Sequence, residues 1–178
     1  MIRSNAVIQS LLNYIGWFLC IKLASKNQPA LATSAIFATS IIQFLFICNK
    51  DKKIFKIITL MIIFLVIGIL FDSMLLFQKL IIFNSNPFTP WFSPPWMWGI
   101  WLSFTLLFYS VFLSQMHRPL LLAALLFPGL LFGYYLGARL GAATLTYGIF
   151  VEFPVFLILT GVLLMGVFLY QWIIHISD

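Results

Sequence analysis

Six apolar stretches, each close to twenty residues or longer, account for nearly the whole chain: about Ala6 to Ala24, Pro29 to Ile47, Phe55 to Phe83, Pro95 to Gln115, Pro119 to Ala142 and Phe153 to Ile176. A helix needs roughly 20 apolar residues to cross a hydrocarbon core about 30 Å thick, so each stretch reads as one crossing. In lipid the backbone must satisfy its own hydrogen bonds, which leaves helices as the form these segments take. The expected fold is an all-α integral membrane protein, a bundle of about six transmembrane helices forming a single domain over residues 1–178. Composition agrees: 63% of the 178 residues are hydrophobic and 8% are charged, too little polar surface to cover a water-soluble globule.

Charge sets the expected orientation. The linker "NKDKKIFK" is the one basic cluster, and an excess of Lys and Arg marks the cytoplasmic side. With residues 49 to 54 inside, alternation puts both termini and "MHRP" inside too, and puts "NSNPFTPWFSPP" and "TLTYGIFVE" outside. The formal net charge of +6 therefore reads as topology, and the scattered basic residues form no nucleic-acid stripe. The N-terminus has one Arg ahead of an apolar stretch, as a signal peptide does. "LCIKLASKNQ" is a poor cleavage site, so the stretch reads as a first span.

The third stretch is too long for one upright helix, since about 28 residues at 1.5 Å each extend roughly 42 Å. It is expected to tilt, to break near Gly68 or Asp72, or to lie partly along the outer interface. Trp91, Trp96, Trp98 and Trp101 follow it; an aromatic belt at the headgroup level accounts for at least the first two. In the fifth stretch Gly129, Gly133, Gly137 and Gly141 recur every fourth position. Such a ridge lets another helix approach closely, either within the chain or in a homo-oligomer. Arg139 points away from the ridge and shares a face with Tyr135.

The charged residues then become informative. With this topology Lys22, Asp72, Lys79, Arg139 and Glu152 all fall in the outer half of the membrane or at its surface. The lysines can snorkel on their long stems. Asp72 cannot, because its side chain is short and about eleven residues separate it from Asn84, so it is expected to be protonated, paired or facing water. Arg139 is the expected partner, by depth and by its bidentate donors. Lys79, two turns further on the same face, is expected to line any shared cavity. Structural bridge and polar pocket both remain open.

Chemistry-bearing motifs are sparse. His117 and His175 have no Asp, Glu or Cys at ligand spacing, Cys20 and Cys48 have no paired ligands, and the glycines are helical in spacing, not those of a phosphate loop. No metal and no cofactor is expected. The first functional expectation is an accessory or ligand-binding protein with an outward-facing pocket for a membrane lipid or other amphiphile, walled by Asp72, Arg139, Tyr135, Trp98 and Trp101. The second is a membrane enzyme of acyl or lipid modification that uses Asp72 or Glu152 as proton carrier. The third is a small transporter, weakened by the lack of charge in the inner half of any span.

Taken together, "NYIGWFLCI", "GILFDSMLL", "PPWMWGIWLSFTLLFYS" and "GYYLGARLGA" resemble the domain of unknown function 2878 family of bacterial inner-membrane proteins. The matching positions are Gly16 and Trp17, Gly68 and Asp72, Trp96, Trp98 and Trp101, then Gly133, Tyr135, Gly137 and Gly141, with "LLFPGLLFGYY" departing in its spacing. The resemblance covers nearly the whole chain in order and implies a multi-pass inner-membrane protein with a lipid-linked role. "FTPWFSPPWMWGIW" is also similar to the second span of the tryptophan-rich sensory protein family, whose other helices do not align in order.

Overall fold

A computed structural model describes residues 2–49, 54–112, 115 and 117–177, with side chains for 6–49, 54–112, 115, 117–148 and 153–175. The basic linker at 50–53 and the side chains of Arg3 and Glu152 lie outside the described residues. The chain forms helices α1 (Ile2–Ser25), α2 (Pro29–Cys48) and α3 (Ile54–Phe77), strand β1 (Ile81–Phe83), helices α4 (Pro95–Phe112) and α5 (Pro119–Arg139), strand β2 (Ala143–Leu145) and helix α6 (Ile149–Ser177). All six helices are long and apolar enough to cross a membrane, as expected. Proline opens α2, α4 and α5 at the first helical position, where its missing N–H costs nothing.

The odd-numbered helices stop in one common way. At the end of α1, Asn27 N–H bonds to Ala24 C=O at 3.0 Å and Gln28 N–H to Leu23 C=O at 3.1 Å, with Asn27 at φ 59°. At the end of α3, Lys79 N–H bonds to Leu76 C=O and Leu80 N–H to Leu75 C=O, with Lys79 at φ 58°. At the end of α5, Gly141 N–H bonds to Ala138 C=O and Ala142 N–H to Gly137 C=O, with Gly141 at φ 83°. Each is the paired-bond cap in which one left-handed residue satisfies the last carbonyls of a helix.

The over-long third stretch therefore neither breaks at Gly68 nor at Asp72. Its helix runs through both and ends at Phe77; the left-handed Lys79 then turns the chain into β1. β1 pairs antiparallel with β2, Ile81 opposite Leu145 and Phe83 opposite Ala143, a two-stranded addition to an otherwise helical fold. Side chains knit this end of the bundle together. Ser85 Oγ lies 2.9 Å from both Ala24 C=O and Asn27 Oδ1, and Asn84 Nδ2 donates to Gly141 C=O at 2.8 Å.

α4 is the centre. It packs against α1, α2 and α3; α3 in turn meets α6, and α6 meets α5. Close approaches use glycines other than the expected ones: a Cβ on Gly16 would meet Thr39, on Gly68 the Trp101 ring, on Gly99 Ile36, and on Gly166 Ile67. In the four-residue series of the fifth stretch, Gly129 and Gly133 face open space, Gly137 has only Ile21 at 3.7 Å, and Gly141 lies beyond the helix as its cap. Four-residue spacing shows that a helix can be approached, not that another helix of the chain does so.

The tryptophans also divide unevenly. Trp91 is 67% exposed and stacks on Phe77 at 6.3 Å between ring centres. Trp96 is only 1% exposed, edge-on to Phe83, and so belongs to the core and not to a belt.

Candidate functional site

Asp72 stands inside the bundle, five residues before the end of α3, and is fully buried. Its Oδ2 accepts a hydrogen bond from Trp101 Nε1 at 2.8 Å, and its Oδ1 accepts one from the Tyr134 hydroxyl. The carboxylate thus joins α3, α4 and α5. One turn earlier on the same face, Gly68 leaves the space that the Trp101 indole fills. The motif Gly-x-x-x-Asp is a notch and an acceptor for a single tryptophan. On its far side Trp101 is edge-on to Phe104, and Thr105 Oγ1 donates to the Trp101 carbonyl at 2.7 Å. Tyr134 rests on Phe156 at 4.9 Å between ring centres, which brings α6 into the same assembly.

Arg139 is not the partner of Asp72. It lies exposed at the last position of α5, where its Nε donates to the Tyr135 hydroxyl at 2.9 Å and its guanidinium carbon lies 5.4 Å from the Tyr135 ring centre. The reason is rotation. Tyr134 continues the buried series Leu122, Leu126, Leu130 at intervals of four and points into the bundle; Tyr135, about 100° further round, points out with Arg139. That leucine series was the available sign that Tyr134, and not Tyr135, faces Asp72. Lys79 is likewise exposed, in the left-handed cap of α3, whereas Asp72 is fully buried.

The expected site residues therefore separate into two groups. Asp72 and Trp101 meet inside the bundle, while Tyr135 and Arg139 border an open groove of about 270 Å³ between α5 and β2, completed by Ala138, Ala143, Thr144, Leu145 and Gly148. Trp98 joins neither. It donates to Ser93 Oγ at 3.1 Å and stacks on Phe88 at 5.9 Å between ring centres, bracing the loop before α4. Glu152, the second candidate proton carrier, has its side chain outside the described residues. Among the described residues no cluster of three or more His, Cys, Asp or Glu could hold a metal.

A further polar layer is built without charges. Gln9 Nε2 donates to the Gln43 carbonyl at 3.1 Å and Gln43 Nε2 donates back to the Gln9 carbonyl at 3.2 Å, clasping α1 to α2. Ser103 Oγ of α4 lies 2.7 Å from Gln43 Oε1 and 2.9 Å from Asn13 Oδ1. Gln9 and Asn13, four apart in an apolar stretch, were the sequence sign of this face.

This arrangement gives Asp72 two hydrogen bonds and no exposed surface, and leaves Arg139 exposed with no carboxylate partner among the described residues. No match was found among curated proteins, and none among solved structures. A family profile, described as protein of unknown function (DUF2878), matches residues 6–171 and so includes both groups of residues. The chain, a multi-pass membrane protein of six apolar helices, belongs to the DUF2878 family.

Proposed function

We propose that the protein is a non-catalytic, accessory component of a bacterial inner membrane that holds a lipid or other amphiphile at its strand-capped end. In this reading that end faces outward and both termini are cytoplasmic, following the basic linker at 50–53. The observation that carries the reading is the groove bordered by Tyr135 and Arg139 at the end of a membrane-crossing helix. An amphiphile needs a polar rest for its head at the interface and an apolar track for its chain below. Phe132 and Leu125 stand seven and fourteen positions before Arg139, on its face of α5, and are 61% and 44% exposed. They supply such a track.

The closed surroundings of Asp72 favour this reading over an acyl-modifying enzyme or a transporter that works through Asp72. A proton carrier must meet its substrate, and a transport site must be reached from water; Asp72 has no exposed surface, and both of its oxygens are engaged. The test is to purify the protein in mild detergent and identify the lipids that remain bound. A selected lipid that is lost on Arg139→Ala is the expected result. Retention by both forms of the same mixture as the bulk membrane refutes it.

A further inference from the structure

The polar side chains that border the groove share one property: each has a hydrogen to give. Arg139 uses Nε on Tyr135, which leaves its two terminal nitrogens, and no carboxylate pairs with it among the described residues. Tyr135 accepts from Arg139, so its own hydroxyl hydrogen remains available. Thr144 is exposed on β2, and its hydroxyl makes no hydrogen bond among the described residues. No acidic side chain lines the groove among the described residues. The guanidinium is also held in place, by the 2.9 Å bond and by the Tyr135 ring at 5.4 Å, so that binding need not first order a free side chain.

We infer that this groove recognises a phosphate group, with the Arg139 terminal nitrogens as the principal donors and the Tyr135 and Thr144 hydroxyls beside them. A fixed guanidinium fork matches phosphate oxygens in pairs, and the neighbouring hydroxyls are short-range donors of the same polarity. A phosphodiester offers the fork the same pair of charged oxygens as a carboxylate does, and it is the anion that membrane phospholipids carry at the interface. The inference rests on the groove being the ligand site proposed above and adds the chemistry of the head. The phosphate has two sources, a phospholipid headgroup in the membrane or free phosphate in water.

Three probes separate these sources on the full chain in detergent: short-chain phosphatidylglycerol, diacylglycerol with the same chains, and inorganic phosphate, each titrated by native mass spectrometry or Tm. Wild type is expected to bind phosphatidylglycerol about tenfold or more tightly than diacylglycerol. Arg139→Gln should remove that preference, and Tyr135→Phe should reduce it several-fold. Competition by inorganic phosphate supports recognition of phosphate from either source, whereas lipid preference without competition supports the headgroup alone. Equal binding of the two lipids overturns the phosphate assignment but leaves amphiphile binding standing. Binding of neither lipid nor phosphate overturns both. Arg139→Gln that retains the preference, with an unchanged helical spectrum, also overturns the assignment, and Arg118→Gln in another loop controls for loss of charge alone.

Discussion

Trp101 donates its indole N–H to Asp72 at 2.8 Å while its ring occupies the space that a side chain on Gly68 would need. The three residues are one device, in which removal of any part disturbs the other two. Trp101→Phe keeps most of the ring but deprives a buried carboxylate of a donor, which costs about 1–3 kcal/mol. Unfolding in mixed micelles should show this loss. A double-mutant cycle with Asp72→Asn should show that the two substitutions are not additive.

Glycine replacements should rank by contact and not by spacing. Gly68→Ala forces a methyl group against the Trp101 ring and is expected to cost about 1–3 kcal/mol. Gly133→Ala meets open space and gains helix propensity, so its Tm should be unchanged or slightly raised. A larger loss at Gly133 than at Gly68 would contradict the packing described.

The helix caps give a test of opposite signs. Lys79 holds φ 58° with a side chain, so Lys79→Gly should stabilise by up to about 1 kcal/mol. Gly141→Ala at φ 83° should destabilise by about 1 kcal/mol or more. Thermal unfolding of the two variants side by side reads both.

Thiol labelling should distinguish the two cysteines. Cys20 is fully buried against α4, its Sγ 3.9 Å from the Trp96 carbonyl, while Cys48 is partly exposed at the end of α2. A small maleimide is expected to modify Cys48 in the folded protein and Cys20 only after denaturation. Equal labelling rates in the folded state would count against the α1–α4 packing.

The reciprocal glutamine bonds predict a loss from either side. Gln9→Leu removes its one bond to the Gln43 backbone carbonyl and should cost about 0.6–1.7 kcal/mol in an unfolding measurement, the range of hydrogen bonds between membrane helices, while the bond that Gln43 gives to the Gln9 carbonyl can persist.

Hydropathy made the six crossings legible because bilayer thickness dictates their length, and the starts at Pro29, Pro95 and Pro119 agree with the helices to the residue. It could not separate Ile81–Phe83 from the helix before them, since both are equally apolar and the turn depends on one left-handed backbone angle at Lys79. Asp72 was legible as a residue in need of partners. Its actual partners were not, because opposite charge is visible in a sequence, whereas the structure supplies two neutral donors, Trp101 and Tyr134, that stand among many other aromatic residues. Helices apolar on every side carry little sign of which face turns inward.

Ser85 and Asn84 fasten the ends of α1 and α5 to the strand pair, and that attachment limits how these helices can move. A rod pinned at one end cannot slide along its neighbour; it can only pivot, with a displacement that grows with distance from the pin. Tyr134 stands five residues before the last residue of α5, about 7.5 Å from its fastened end, and Asp72 stands equally far before the end of α3, where the chain turns into β1. Their bond therefore sits beside the fulcrum, where swaying of the far end of α5 stretches it least.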